Sequence, residues 1–320
     1  NIYINFNFDN SYIAIVDNGI GMNEDSLKNA MKIGSCDPIS FRPINYLGRF
    51  GLGLKTASFS QASRLTVVTK ENNNNTYARC WDLDYISKTE KWQLEILNNK
   101  LNEISEINKL SHNGTLVLWE KLDKLIEANH KRKSEDIFWE KIDGAREYLG
   151  LVFHRYLTGE IGLKKISINI NGDPIIPFNP FEGAGKHFPE EQIGNIKIQA
   201  YQLPHHSKVS TEQYKRLESK EGYLKAQGFY VYRNSRLLIH GTWFRLARQL
   251  ESTKLARVKI DLPNSEDFSW AIDVKKSQAT PPDAIKAELK RTINRIMSSS
   301  SKVYKKRGSI ISKKDYVPIW

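Results

Sequence analysis

Sulfur is scarce in this 320-residue chain, which holds two cysteines, Cys36 and Cys80, and three methionines. The cysteines make no Cys-x-x-Cys pair, so disulfide scaffolds and thiolate zinc frameworks are excluded. Reduced thiols in a cytoplasmic protein are the expectation. Seven histidines are present, none at metal-ligand spacing, and His205-His206 reads as a solvated pair in a polar loop. No apolar run approaches the roughly twenty residues that span a bilayer, and no secretory leader is visible. A membrane partner is therefore not expected. No internal repeat is visible either. The chain opens at Asn1, already inside a strand-like run, so the sequence reads as part of a longer protein.

What is present is a pair of glycine-punctuated segments about thirty residues apart. The first reads Asp17-Asn18-Gly19-Ile20-Gly21-Met22 and follows an alternating apolar run over 12–16, so a strand delivers Asp17 to its end. Glycines at 19 and 21 permit a tight turn and a close approach of backbone to a ligand. The second reads Gly48-Arg49-Phe50-Gly51-Leu52-Gly53-Leu54-Lys55-Thr56 and opens a helix expected over 52–62. The first amides of such a helix face an anion. A carboxylate for a base edge and a glycine loop for phosphates make a nucleotide site. The Walker-type phosphate loop is excluded, because Leu54 separates Gly53 from Lys55 where that motif needs glycine directly before Lys-Ser/Thr. Between the two segments, residues 31–47 hold Gly34, Ser35, Pro38 and Pro43 with little periodicity, and read as a mobile loop.

Together these segments resemble the Bergerat-fold ATPases, the GHKL group that includes gyrase, MutL, the ninety-kilodalton heat-shock chaperone, sensor histidine kinases and the Microrchidia proteins. Asp17, Gly19 and Gly21 match the group's Asp-x-Gly-x-Gly box, and Gly48, Gly51 and Gly53 match its Gly-x-x-Gly-x-Gly box. Gly114-Thr115, just before a strand at 116–119, sits where a third short motif belongs. Lys32-Ile33-Gly34-Ser35 followed by Leu47-Gly48-Arg49-Phe50-Gly51 looks closest to Microrchidia and MutL-like proteins of bacteria.

The resemblance implies an α/β (α+β) two-layer sandwich that binds ATP with Mg2+. It implies that Asp17 accepts a hydrogen bond from the adenine amino group and that Thr115 supports the same edge through water. Gly51, Gly53 and the amides of Leu52 and Leu54 would cradle the phosphates, with Gly48, Arg49, Phe50 and Thr56 in the same stretch. Met22 packs on the adenine ring or is plain core. Lys55 is a point charge on phosphate or a solvated helix residue. The loop 31–47 is implied to be a lid. The group's general-base Glu and magnesium-holding Asn lie on a helix upstream of the strand at 2–8. No substitute precedes Asp17, so neither base nor metal ligand is assigned.

Strands at 2–8, 12–17, 64–70, 76–83, 92–97 and 114–120, with helices at 23–33 and 52–62, make an ATP-binding domain of residues 1–125. A helix over 134–157, capped by Ser134, forms a connection at 126–160. A second α/β module over 161–298 takes strands at 165–170, 196–202, 229–233, 257–262 and 270–274 and helices at 211–226 and 282–297. Its stretches 228–237 and 271–279 resemble the ribosomal-protein-S5-like transducer domain that follows the ATPase in MutL, gyrase and Microrchidia proteins. That likeness implies a lysine reaching the γ-phosphate, with Lys276 favoured over Lys275.

Charge is unevenly placed. Residues 1–125 hold 14 basic and 14 acidic side chains, whereas 126–320 hold 34 and 22 and account for the net +12. Residues 285–320 alone hold 10 basic and 2 acidic. A DNA-facing second half is the expectation, with Lys302, Lys305, Lys306, Arg307, Lys313 and Lys314 in a basic tail at 299–320. The resemblance implies an ATP-gated clamp or switch in DNA manipulation, an ATP-dependent homodimer, and DNA-processing or phage-defence subunits as partners. A heat-shock-type chaperone ATPase and a non-hydrolysing nucleotide-gated scaffold are the alternatives.

Overall fold

A computed structural model describes residues 1–34, 47–48, 51–72, 75–123, 131–218, 222–272 and 279–308. The chain is α+β and divides into two compact units, the first closing at Phe178 and the second taking Leu47 and the chain from Asn179 onward. The first contains β1 (Ile2–Asn7), β2 (Tyr12–Asp17), α1 (Glu24–Met31), α2 (Gly53–Phe59), β3 (Arg64–Lys70), β4 (Thr76–Asp82), α3 (Leu83–Thr89), β5 (Glu95–Ile96), β6 (Gly114–Glu120), α4 (Lys131–Val152), α5 (His154–Thr158), β7 (Ile168–Ile170) and β8 (Asp173–Pro174). Its strands form one sheet in the order β5-β4-β3-β6-β2-β1-β7-β8.

Period-2 alternation gives this sheet two buried faces. On one, Leu65, Val67 and Trp81 pack against Leu27 and Met31 of α1 and Leu54 and Phe59 of α2. Phe6 and Ile13 continue that face against Phe138 and Ile142 of α4. On the other, Ala14, Val16, Val68, Ala78, Leu116 and Leu118 meet Leu97, Ile104 and Leu110 of the connection between β5 and β6. Each fully buried Leu, Ile or Val of this kind contributes about 1.5–3 kcal/mol. The helix α1 begins where the Asn23 side chain accepts the Ser26 amide at 2.9 Å, with Glu24 and Asp25 in its first turn. Leu27 and Met31, four residues apart, then face the sheet.

The second unit contains β9 (Lys186–His187), β10 (Glu191–Ile193), β11 (Ile196–Gln202), α6 (Thr211–Glu218), α7 (Gly222–Lys225), β12 (Gly228–Arg233), β13 (Arg236–Thr242), β14 (Ala256–Leu262) and α8 (Asp283–Gly308). The order β10-β11-β14-β12-β13 includes one parallel pair, β12 with β14. Ile285, Leu289, Ile293 and Ile296 of α8 pack on Ile198, Ala200, Val258 and Ile260. A bidentate ion pair, Arg233 Nε to Asp267 Oδ1 at 2.5 Å and Nη2 to Oδ2 at 2.7 Å, is buried in the same unit.

Four expectations change. The strand expected to open the second module is β7, and it pairs in parallel with β1 of the first sheet, so the first unit extends to Phe178. The helix expected over 134–157 starts at Lys131 and breaks at Phe153 into α4 and α5. No strand occupies 270–272: Ala271 sits at φ 44° and its amide closes a turn on the Phe268 carbonyl. Finally, α8 runs on to Gly308, so the first part of the expected tail is helical.

Candidate functional site

Three strand ends of the first unit meet at one corner. In the register, Asp17 of β2 lies opposite Thr115 of β6, and Thr115 lies opposite Thr69 of β3. Their side chains therefore form a row on the helix-covered face of the sheet. Asp17 is partly exposed, and its Oδ1 accepts the Gly19 amide at 2.7 Å. Burial pushes its carboxyl above the usual aspartate range, against the opposing pull of hydrogen bonds from the Gly19 and Thr115 backbones. The acid is thus placed as an acceptor in a partly desolvated setting, where a donor from a ligand gains most.

The turn after Asp17 is pressed into the ends of β3 and β6. Gly21 has φ +73°, and a Cβ there would lie 1.8 Å from the Lys70 carbonyl oxygen. Gly114 has φ +136°, and its Cβ would lie 2.0 Å from the Asp17 carbonyl oxygen. At Gly19 a Cβ would meet Asp17 Oδ1 at 2.6 Å. Glycine is required at 21 and 114 both by neighbouring backbone atoms and by backbone conformation, whereas a Cβ at 19 would meet only the end of the Asp17 side chain. Met22 is half-buried beside Leu27 and Met31, so its side chain is part of the helix-side core. Its amide donates to Thr69 Oγ1 at 2.9 Å. Ile20, at the apex of the turn, is 80% exposed.

The second glycine segment is held differently. Gly48 is described and Arg49 and Phe50 lie outside the described residues. Gly51 has φ +62°, a left-handed conformation that favours glycine. Leu52 precedes α2 without a side-chain cap, and α2 starts at Gly53 and ends at Phe59, short of the expected residue 62. A Cβ on Gly53 would meet nothing within 4 Å. The Thr56 hydroxyl donates back to the Leu52 carbonyl at 3.0 Å, and Leu54 packs into the helix-side core.

Lys55 is 3% exposed, which rules out the solvated alternative. Its Nζ donates to the Ala30 carbonyl at 2.8 Å and the Gly51 carbonyl at 2.5 Å, linking the last turn of α1 to the glycine box. Lys275 and Lys276 lie outside the described residues. Among the described residues no three His, Cys, Asp or Glu side chains converge as a metal site, and no helix is long and apolar enough to cross a membrane.

Thr69 is the site residue that motif reading misses. It is fully buried, and besides the Met22 amide it reaches the Gly114 carbonyl at 3.1 Å and Thr115 Oγ1 at 3.3 Å. The only signal was a polar residue on the same face of the strand as Leu65 and Val67.

Comparison with known proteins bears on this unit. No curated protein matches the sequence. Among solved structures, the ATPase region of Saccharomyces cerevisiae topoisomerase II aligns at 10% identity and TM-score 0.48, over 95% of this chain and 79% of that one. Residues 1–115, which hold all three glycine motifs, match the family of histidine kinase-, DNA gyrase B-, and HSP90-like ATPases, and it is over this part of the chain that the GHKL ATPase likeness holds.

Proposed function

We propose that the first unit binds ATP at the corner formed by Asp17, Thr115 and the two glycine segments. The observation that carries this reading is the row Asp17–Thr115–Thr69, set at one sheet corner by backbone packing too close for any side chain at Gly21 or Gly114. Asp17 takes the adenine amino group, a charge-assisted hydrogen bond worth about 1.5–3 kcal/mol. The amides around Gly51 and Gly53 take phosphate. Nothing in the protein's own packing demands glycine at 53; a phosphate drawn against the backbone does. Lys55 acts on this loop through the Gly51 carbonyl. Mg2+ would enter with the triphosphate, and no described residue is assigned to it.

In this reading ATP biases a two-state clamp or switch through its differential affinity for the closed form. Lys276, or Lys275 beside it, is the proposed reporter of the terminal phosphate. A homodimer and a role on DNA, in processing or phage defence, are proposed from the resemblance of the motifs to Microrchidia and MutL-like proteins. The charge distribution narrows where DNA would bind. Lys286, Arg291 and Arg295 on α8 each pair with an acid, Asp283, Glu288 and Glu191 respectively. The proposed DNA contacts are therefore Lys290, exposed on the same helix and in none of these pairs, and the basic residues from Lys302 onward.

Asp17→Asn tests the site. The substitution keeps an acceptor for the Gly19 amide and removes the charge, so the fold persists and ATP binding by calorimetry falls below detection. An unchanged affinity would end the adenine assignment.

A further inference from the structure

We propose that Thr69 determines base specificity, by forcing the Thr115 hydroxyl to face the ligand as an acceptor only. The inference rests on the nucleotide reading of this corner. A threonine hydroxyl has one proton and two lone pairs. The Thr69 hydroxyl, fully buried, has three polar neighbours: the Met22 amide at 2.9 Å, the Gly114 carbonyl at 3.1 Å and Thr115 Oγ1 at 3.3 Å. The amide can only donate, so it takes one lone pair. The carbonyl can only accept, and it is the nearer of the two remaining oxygens, so it takes the proton. One lone pair is left, and Thr115 must donate into it.

That arrangement uses all the hydrogen-bonding capacity of the buried hydroxyl, as burial requires. It also turns the Thr115 proton inward. Thr115 is partly exposed and stands opposite Asp17 in the strand register, so the two side chains present acceptors together. An adenine amino group offers donors to such a pair. Guanine carries a carbonyl oxygen at the same ring position, and an acceptor facing acceptors is rejected. Without the Thr69 hydroxyl, Thr115 is free to rotate its proton outward and accommodate that oxygen.

The test is calorimetric titration of the full chain with ATP and with GTP, for the parent protein, Thr69→Val and Thr69→Ser. Thr69→Ala, which opens space instead of filling it, is the second hydroxyl deletion if the valine variant does not fold. The expected result is a roughly tenfold fall in the ATP-to-GTP affinity ratio for Val or Ala, with Ser keeping the parent ratio. In a Thr115→Val background, deleting the Thr69 hydroxyl should leave the ratio unmoved. A folded Val or Ala variant with the parent ratio overturns the proposal. So does an equal loss of both nucleotides, which marks a merely structural threonine. Parent protein that binds no ATP, or Asp17→Asn that binds it normally, overturns the nucleotide reading itself. ATP binding lost in Asp17→Asn with no change of ratio at Thr69 overturns only this inference.

Discussion

The two glycine segments of the first unit are held by different means. The turn at 17–22 is fixed by the protein's own backbone. Lys70 occupies the space a Cβ at Gly21 would need, and Asp17 the space a Cβ at Gly114 would need. The segment at 48–56 has one glycine set by conformation, Gly51, and one, Gly53, that meets nothing. Leu54 anchors it in the helix-side core, and a buried ammonium, Lys55, bonded to the Ala30 and Gly51 carbonyls, ties it to the end of α1. A base-reading element gains from rigidity, because discrimination depends on donors and acceptors held in place. Same residue type, opposite reasons.

The sharpest way to break the contrast is Gly21→Ala. The methyl group cannot share space with the Lys70 carbonyl, and the left-handed backbone adds to the strain. A loss of about 3–5 kcal/mol is expected, in the range of severe core defects. It is measured as a fall in Tm or in the denaturant midpoint. A near-native melt would show that the turn adapts, and the contrast would dissolve. Next comes Lys55→Met, which keeps the buried alkyl stem and removes the donor. Two carbonyls lose their partner, so stability falls by about 1–3 kcal/mol. Hydrogen exchange should quicken at residues 51–56 while the Met22 amide, bound to Thr69, stays protected. Equal quickening at both would mean that the two segments are one cooperative piece.

Much of this was legible in the sequence because it is local. Strand alternation placed β1, β2, β3 and β6 within a residue or so, and glycine spacing marked both turns. What escaped is long-range. Alternation announces the strand that became β7 without saying which sheet receives it, and it went to β1. Thr69 carries no motif, and its partners Met22 and Thr115 are 47 and 46 residues away in the chain. The helix α3 was hidden for another reason. Asp82 ends β4 and also caps Leu83–Thr89 by accepting the Asp84 and Tyr85 amides, so a strand reading swallowed a helix start. Lys55 shows the limit of residue type: a lysine at that place reads equally as a solvated helix residue, and only the structure shows it buried with its ammonium on two carbonyls.

The smallest effect on stability is the one that separates protein from ligand most cleanly. Gly53 opens α2 in a helical conformation with free space around its α-carbon. Alanine there costs the fold nothing and restricts the unfolded chain, so Gly53→Ala should raise stability slightly, by about 0.4–1 kcal/mol. Gly51→Ala, two residues earlier, runs the other way, since φ +62° costs an ordinary side chain roughly 1–2 kcal/mol. If phosphate is drawn against the backbone at 53, the alanine methyl stands in its path, and ATP affinity falls even as Tm rises. Opposite signs in melting and calorimetry for one methyl group would identify Gly53 as a glycine kept for the ligand. A stabilised Gly53→Ala protein that binds ATP as the parent does would place the phosphates elsewhere, and the second segment would then be a loop like any other.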